Sequence, residues 1–290
     1  MAVLTLTKHH GLGNDFLVTF AQPDGAARSG WEDLAVRLCH RHLGIGADGL
    51  LVATTGEGPA GRPGVDPGVA DDPGSPTVAD VAMQLYNADG SRAEMSGNGI
   101  RCLVQAWARR QDLTAGDVAV ATMAGVRRVE FAPGPDRNTI IAAVDMGGVA
   151  AIDAPAGWPD VGTHEHRPVA HLRVGNPHTV VAVDDVGAVD LLSIGQQVPS
   201  VNLEIVEPGP ERTAITMRVH ERGAGVTEAC GTGACAAAWA AARWGMVTGD
   251  GEITVHMDGG DAKVRLDQPQ PGRVTLIGPA TFVGTVQVEW

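Results

Sequence analysis

Alternating and apolar segments along the chain predict a protein built largely from β-strands. The segments are bounded by glycine, aspartate and asparagine, which are common at strand ends and in turns. The first half contains VLTLTKHH, DFLVTF, GLLVATT, DVAMQLYNADG, DVAVATMAG, VRRVEF and NTIIAAVDMGG. After residue 145 the pattern begins again with HLRVGNPHTVVAVDD and TAITMRVHERG. The sequence thus predicts two successive sets of strands.

Four segments have helical periodicity instead. The first, WEDLAVRLCHRHLG, is amphipathic, with Ser29 as its expected N-cap and Gly44 at its end. The other three are expected over residues 96–110, 187–195, and an alanine-rich stretch at 231–244 that ends at Gly245. The segment 55–80 is rich in proline, glycine and aspartate and has no periodic pattern, so it predicts a long surface loop.

Two glycine-rich turns in the first half of the chain each resemble a turn in the second half. EMSGNGIRC at 94–102 is close to EACGTGACA at 228–236, and GLGNDFLVTF at 11–20 is close to RVGNPHTVVAV at 173–183. In the first half Asn14 and Ser96 are 82 positions apart, and in the second half Asn176 and Cys230 are 54 positions apart. The difference between these separations is about the length of the predicted loop. Chance similarity of glycine-rich turns is the alternative, but the matching spacing favours a duplicated domain.

The turns EMSGNGIRC and EACGTGACA each place a small residue followed by G-x-G at the start of a helix. Backbone N–H groups there have no intrahelical partner and carry partial positive charge, which suits a carboxylate or phosphate. We expect the two ends, Gly97–Asn98 and Gly231–Thr232, to bind one carboxylate between them. The same field is expected to lower the pKa of the Cys230 thiol from about 8.5 toward neutrality, so that its thiolate acts as a base. The alternative is a small core cysteine at a tight turn.

Composition and charge exclude several classes of function. The chain has 290 residues, enough for two domains, and 44% of them are apolar, as in ordinary soluble proteins. The net charge of −13 argues against binding to nucleic acid or anionic lipid. We find no signal peptide and no membrane-spanning segment in the sequence. Four sparse cysteines without C-x-x-C fit a reducing cytoplasm and predict neither disulfides nor a zinc site.

Two common cofactors are also unexpected. Pyridoxal phosphate needs a lysine for its Schiff base, and only Lys8 and Lys263 are present, each in a predicted strand or hairpin. GIGADG at 44–49 satisfies G-x-G-x-x-G, but it follows a helix and precedes a strand. A dinucleotide site has the opposite order, so this motif does not predict one.

Several motifs together make the chain resemble the diaminopimelate epimerases, the cofactor-independent amino-acid epimerases of bacterial lysine and cell-wall synthesis. The motifs extend nearly from end to end: GLGNDF, GIGADGLL, NADGS, SGNGIRC, GNPH, VN and ERGAG…ACGTG. The resemblance implies an α/β (α+β) fold of two pseudo-symmetric domains, each a curled, mostly antiparallel sheet around a central helix. It places one domain at 1–145 plus 277–290 and the other at 146–276, often in a homodimer.

The resemblance also implies a reaction and a set of site residues. Family members convert L,L-diaminopimelate to meso-diaminopimelate: one cysteine removes the α-proton and a second returns a proton to the other face, without cofactor or metal. By this resemblance Cys230 and Ser96 stand at the catalytic positions, and His178 and Glu221 tune pKa values. The positions matching substrate-binding residues are Asn14, Asn87, Gly97, Asn98, Asn176, Asn202, Glu221, Arg222, Gly231 and Thr232. Ordinary turn chemistry is the alternative for Asn87, Asn176 and His178.

The sequence departs from the family at two positions. Ser96 stands where the family has its other cysteine, and Val226 stands where it usually has glutamate. A serine hydroxyl titrates far above a thiol, and each pKa unit is worth about 1.4 kcal/mol, so Ser96 should be a poor base. Ser96 is either an engineered substitution, a relay in a natural epimerase, or the mark of a one-base racemase or dehydratase. A fourth hypothesis is a catalytically silent amino-acid-binding protein.

Overall fold

The computed structural model describes residues 3–21, 30–55, 79–158, 167–248, 251–267 and 271–289. The chain forms two compact units, Met1–Val144 with Gly278–Trp290, and Asp145–Ile277. Within the described residues, no helix is long and apolar enough to cross a lipid bilayer. Most of the predicted loop at 55–80 and the predicted N-cap Ser29 lie outside the described residues.

The first unit contains two helices and a sheet of strands. The helices are α1 (Trp31–Cys39) and α2 (Gly97–Arg110). The strands are β1 (Val3–Gly11), β2 (Asn14–Ala21), β3 (Gly49–Thr55), β4 (Val81–Asn87), β5 (Arg92–Ala93), β6 (Gly116–Thr122), β7 (Gly125–Pro133) and β8 (Thr139–Gly148), whose end enters the second unit. Buried and exposed residues alternate along part of β7, as its sequence predicts, whereas β2 and β3 each contain a run of five buried residues.

The sheet of this unit is mostly antiparallel. β2 and β3 are parallel, as are β4 and β6, whereas the pairs β1–β2, β3–β4, β4–β5, β6–β7 and β7–β8 are antiparallel. Helix α2 contacts β1, β2, β3, β4 and β7. Eleven of its residues are buried, so the polar Asn98, Arg101 and Gln105 are carried into the interior together with the apolar side chains.

The second unit repeats this order of elements. Its helices are α3 (Leu191–Gly195), preceded by a 3-10 turn at Val186–Ala188, and α4 (Gly231–Arg243). Its strands are β9 (Ala150–Ala151), β10 (Val169–Val174), β11 (Asn176–Ala182), β12 (Asn202–Pro208), β13 (Ala214–Glu221), β14 (Gly225–Thr227), β15 (Glu252–Met257), β16 (Gly260–Leu266) and the beginning of β17 (Arg273–Glu289), whose residues from Gly278 onward belong to the first unit.

The pairing in the second unit matches the first strand for strand. β11–β12 and β13–β15 are the parallel pairs, and β10–β11, β12–β13, β13–β14, β15–β16 and β16–β17 are antiparallel. Helix α4 contacts all the long strands from β10 to β16. Its sequence, GTGACAAAWAAAR, is apolar almost all round, which suits a helix enclosed by a sheet. The predicted fold class, a mixed α+β fold of two similar sheet-and-helix halves, is confirmed.

The last strand, β17, has its first residues in the second unit and its residues from Gly278 onward in the first unit. Val274–Ile277 of β17 pairs with β16, and the part from Thr281 to Glu289 pairs with β1. Near its end, Val288 packs against a buried cluster of the first unit that includes Leu6 and Leu17. The first unit therefore contains residues from both ends of the sequence.

The predicted end of the first helix is wrong. Helix α1 ends at Cys39, not at Gly44, and it begins after Gly30, which has a φ of 104° and makes no side-chain cap bond. The chain folds back at this point, and the Leu38 carbonyl accepts from both Ile45 N and Gly46 N. Gly44 is still required, because a Cβ there would lie 2.3 Å from the Arg37 carbonyl oxygen.

Candidate functional site

The N-terminus of α2 carries the first of the predicted site residues. Ser96 is the N-cap, in an extended conformation, and its Oγ accepts from Gly99 N at 3.0 Å. Gly97 begins the helix, and Asn98 is buried beside it. A Cβ at Gly99 would lie 3.1 Å from the Ser96 Cβ, so the second glycine of G-x-G leaves room for the cap.

A chain of hydrogen bonds fixes the two asparagines of this unit. Asn14 Nδ2 donates to Asp48 Oδ2 at 2.7 Å, and Asn14 Oδ1 accepts from Asn98 Nδ2 at 3.1 Å. Asn98 Oδ1 in turn accepts from Arg101 Nη2 at 2.6 Å. Both amides are thereby oriented, because the carboxylate can only accept and the guanidinium can only donate.

Asn87 lies close to this chain through the sheet register. It pairs with Gly49 across β3 and β4, and the neighbouring Ala88 N donates to the Asp48 carbonyl. Its Nδ2 donates to Ser91 Oγ at 3.0 Å. The structure thus brings Ser96, Gly97, Asn98 and Asn14 together at one helix start, whereas Asn87 lies on β4, separated from Asn14 of β2 by strand β3.

The N-terminus of α4 has the same construction in the second unit. Cys230 is the N-cap, and its Sγ accepts from Gly233 N at 3.4 Å and lies 3.5 Å from Thr232 Oγ1. The thiol is buried, with 4% of the residue exposed. Gly231 begins the helix, so Cys230 and Ser96 occupy equivalent positions in their units.

Glu221 lies close enough to the Cys230 thiol for the two groups to influence each other's pKa. The carboxylate also accepts from Thr227 Oγ1 at 2.5 Å. Burial raises the pKa of the Glu221 carboxyl, with the Glu204 charge adding to the effect and the bonds to Thr227 and Cys230 opposing it. A carboxylate whose pKa is raised is a stronger base than an ordinary one, which suits it to exchange a proton with the thiol.

The expectation that the helix field lowers the pKa of the Cys230 thiol toward neutrality is wrong. Burial raises this pKa well above its ordinary value, and the negative charges of Glu221 and Glu204 add to it. The bonds from Thr232 and from Gly233 N act in the opposite direction and do not outweigh these causes. This environment favours the protonated thiol of Cys230, so its ionisation requires a base beside it.

His178 lies on β11 and is fully buried. Its Nδ1 is 2.7 Å from Glu204 Oε1, and its Nε2 is 2.8 Å from Asn176 Oδ1. His178 and Asn202 are partners in the parallel register of β11 and β12. Asn202 Oδ1 accepts from Arg222 N at 2.8 Å, which fixes the turn that follows β13. All the predicted residues of the second half thus lie around the start of α4 and the adjoining strand ends.

The cysteine within α2, Cys102, does not supply the thiol that position 96 lacks. Cys102 is completely buried, and burial raises the pKa of its thiol to about 12. It lies in the helix interior, six positions beyond the cap. In the first unit the side chain at the cap position equivalent to Cys230 is therefore the Ser96 hydroxyl.

Sequence reasoning missed Glu204, Thr227 and Asp48. Glu204 interrupts an apolar strand, NLEIV, and a charged residue in a buried strand is a signal that was available. Asp48 lies within GIGADG, which is not a dinucleotide motif: the segment leads into β3, and its aspartate orients Asn14. Among the described residues, no group of three or more histidine, cysteine, aspartate or glutamate side chains could hold a metal ion.

Comparison with known proteins gives the family. The sequence model of the diaminopimelate epimerases matches residues 6–152 and 171–283. The diaminopimelate epimerase of Pelotomaculum thermopropionicum is 36% identical, over 96% of this chain and 96% of that protein. The diaminopimelate epimerase of Synechocystis sp. is 35% identical, over 99% of each.

Solved structures with low sequence identity share the fold. A hydroxyproline epimerase from Agrobacterium vitis with bound trans-4-hydroxy-L-proline superposes with a TM-score of 0.70 at 15% identity, covering 99% of this chain and 92% of that one. A phenazine biosynthesis protein of the PhzF family from Bacillus anthracis gives the same TM-score at 13% identity, with full coverage of both chains. From its sequence matches, the chain belongs to the diaminopimelate epimerase family.

Proposed function

We propose that the protein is an isomerase that epimerises L,L-diaminopimelate to meso-diaminopimelate by removing and returning the α-proton. The observation that carries the proposal is the buried Cys230 thiol that caps α4, with the Glu221 carboxylate, whose pKa is raised by burial, close beside it. Membership of the family supplies the substrate.

The second unit contains the groups for proton removal. The N–H groups at the start of α4 bind the α-carboxylate, because a helix N-terminus favours an anion. The Cys230 thiol passes its proton to Glu221, and the resulting thiolate takes the proton from the α-carbon. The electron pair stays on that carbon as a carbanion next to the carboxylate. Arg222 suits the distal carboxylate, since a guanidinium binds a carboxylate with two hydrogen bonds.

Ser96 supplies the returning proton in this proposal. Its oxygen accepts from Gly99 N, so its own proton remains available to donate. A hydroxyl is a far weaker acid than a thiol, however, and the alkoxide it leaves is too basic to persist. Proton return at this position is therefore the slow step. A water relay replaces the proton on Ser96, and Glu221 releases to water the proton that it took from Cys230, which restores the starting state.

The experiment follows the α-carbon in deuterium oxide. Purified protein is incubated with L,L-diaminopimelate; deuterium at the α-carbon is measured by mass spectrometry and the isomers are separated chromatographically. We expect exchange and slow formation of the meso isomer, and no exchange with Cys230→Ala. Exchange without inversion would favour a one-base enzyme, and binding without any exchange would favour a silent binding protein.

Ser96→Cys tests the role of the hydroxyl directly. A thiol restores a proton donor of suitable acidity, so we expect turnover to rise about 10²-fold, within the range of general acid catalysis. The control is Cys102→Ala, which removes a thiol from the same helix away from its start and should leave turnover unchanged. No gain with Ser96→Cys would contradict the assignment of Ser96.

We propose on the same grounds that each unit is one epimerase domain, that the enzyme acts in the cytoplasm, and that it forms a homodimer. The matching strand order of the two units supports the first statement, and family resemblance supports the other two. Light scattering on the eluting protein measures the mass: about twice 29.9 kDa is expected, and a monomer would exclude the dimer.

A further inference from the structure

Glu204 is a buried charged group that the proposed reaction does not yet use. It lies on β12 and is fully buried, with Oε1 2.7 Å from Nδ1 of His178. Among the described residues, none hydrogen-bonds to its second oxygen, Oε2. Burial of a carboxylate is costly unless other groups compensate its charge, so this position needs a reason beyond packing.

The carboxylate is also packed against the start of α4. A Cβ on Gly233 would lie 2.6 Å from Glu204 Oε1, closer than any real contact allows. The second glycine of this G-x-G turn therefore makes room for Glu204 as well as for the Cys230 cap. Glu204 contacts the histidine on one side and the thiol-bearing turn on the other.

The two partners of His178 differ in what they permit. An ionised carboxylate only accepts hydrogen bonds, so the Nδ1 atom that faces Glu204 carries a proton. The Asn176 amide beside Nε2 can present its oxygen or, after a half turn, its nitrogen. It can therefore pair with Nε2 in either state of protonation. The hydrogen bond at Nδ1 therefore has a fixed direction, whereas the partner atom at Nε2 can be an oxygen or a nitrogen.

We propose that Glu204 is a positioning residue that keeps a proton on His178 Nδ1 and thereby holds the imidazole ring with Nε2 toward Asn176. The inference rests on the proposed function, because Glu204 packs against the thiol-bearing turn of that site.

Nitrogen-15 NMR of the full chain, labelled at histidine, tests the proposal without turnover. We expect the His178 signals, identified by their loss in His178→Gln, to show a protonated Nδ1 at every pH at which the protein is folded. An Nδ1 without a proton would overturn the proposal. This measurement uses the parent protein, so it tests whether His178 Nδ1 carries a proton even if variants of Glu204 do not fold.

Two substitutions separate the charge of Glu204 from its position. Glu204→Gln removes the charge at constant shape, and Glu204→Asp keeps the charge but withdraws it from His178. We expect both to lower kcat at least about tenfold, as for other carboxylates that hold a histidine, while KM changes less than about threefold. Glu207→Gln, on the same strand, is the matched control and should retain activity.

The absorbance of the thiolate near 240 nm, measured against Cys230→Ala, reports the ionisation of Cys230. A purely packing role of Glu204 would leave this absorbance unchanged. In Glu204→Gln the Cys230 thiolate should appear at lower pH than in the parent, and in Glu204→Asp at nearly the same pH. Turnover within about threefold of the parent in both variants would overturn the proposal. A parent that does not convert diaminopimelate would instead contradict the proposed function, and the NMR result would still decide the role of Glu204.

Discussion

Ser96 Oγ and Cys230 Sγ occupy the same cap position in their units, each accepting from the backbone N–H three residues on. The sequence was sufficient to identify both positions, because the G-x-G turn and its place before a helix are local features. It was insufficient to give the ionisation of the thiol. The carboxylates that raise the thiol's pKa come from β12 and β13, and their approach depends on the folded sheet.

Asp15 illustrates a charge whose environment is likewise set by folding. Although burial raises its pKa, the hydrogen bonds and charges of Arg41 and Lys8 lower it below the ordinary value. Arg41 Nη2 lies 2.9 Å from Oδ1, and Lys8 Nζ lies 2.8 Å from Oδ2. A depressed carboxyl pKa adds stability at pH values above the unfolded-state pKa, and this stability is lost as the pH falls through the folded-state pKa.

We therefore expect Asp15→Asn to lower the free energy of unfolding by about 2 kcal/mol at pH 7, the scale of hydrogen bonds to charged groups. The difference from the parent should shrink as the pH falls below about 4, where the unfolded-state carboxyl begins to bind its proton before the folded-state carboxyl does. Urea unfolding of the parent and of Asp15→Asn at pH 7 and pH 3 measures this difference in the free energy of unfolding. Asp117→Asn, in an exposed ion pair with Arg128, should change stability by less than about 0.5 kcal/mol. Equal losses at both pH values would contradict the electrostatic account.

At the scale of elements, strand existence was predictable and helix ends were less so. The alternation of buried and exposed residues in β7 and β16 follows their sequences directly. Helix α1 ends early because residues 45–47 donate to carbonyls of its last turn, a return of the chain that the amphipathic pattern does not encode. Helix α4 ends near its predicted position, since Gly245 adopts a left-handed φ of 71°.

The two G-x-G turns predict different responses to the same substitution. Alanine at 99 meets Ser96 Cβ at 3.1 Å, whereas alanine at 233 meets the buried Glu204 carboxylate at 2.6 Å. We expect Gly233→Ala to lower the free energy of unfolding by about 2 kcal/mol, as overpacking does, although alanine itself favours a helix. Gly99→Ala should cost less than half as much. Thermal and urea unfolding of the two variants measure the difference, and an equal or reversed order would contradict the close approach of Glu204.

At the scale of the whole molecule, both ends of the sequence contribute to one core. Val288 packs on the cluster that contains Leu6 and Leu17, whereas Val283 on the same strand is 57% exposed. We expect Val288→Asp to destabilise the first unit by about 3 kcal/mol, because it places a charge against apolar side chains. Val283→Asp is the control and should change stability by less than about 0.5 kcal/mol.

Hydrogen exchange locates the effect of these substitutions. Amides of β1 and β2 should exchange faster in Val288→Asp, with those of β15 and β16 much less affected, and Val283→Asp should resemble the parent. Uniform exchange throughout the chain in Val288→Asp would show that the two units unfold as one. Unchanged exchange in β1 would contradict the packing of Val288.

The division of β17 also orders events during protein synthesis. Residues 145–277 are continuous, so a nascent chain can complete that unit before Thr281–Glu289 are synthesised. Strand β1 is made more than 250 positions before this partner segment of β17. Until the partner is made, one edge of β1 is open to wrong pairing, which makes β1 a segment of the nascent chain that a chaperone would protect.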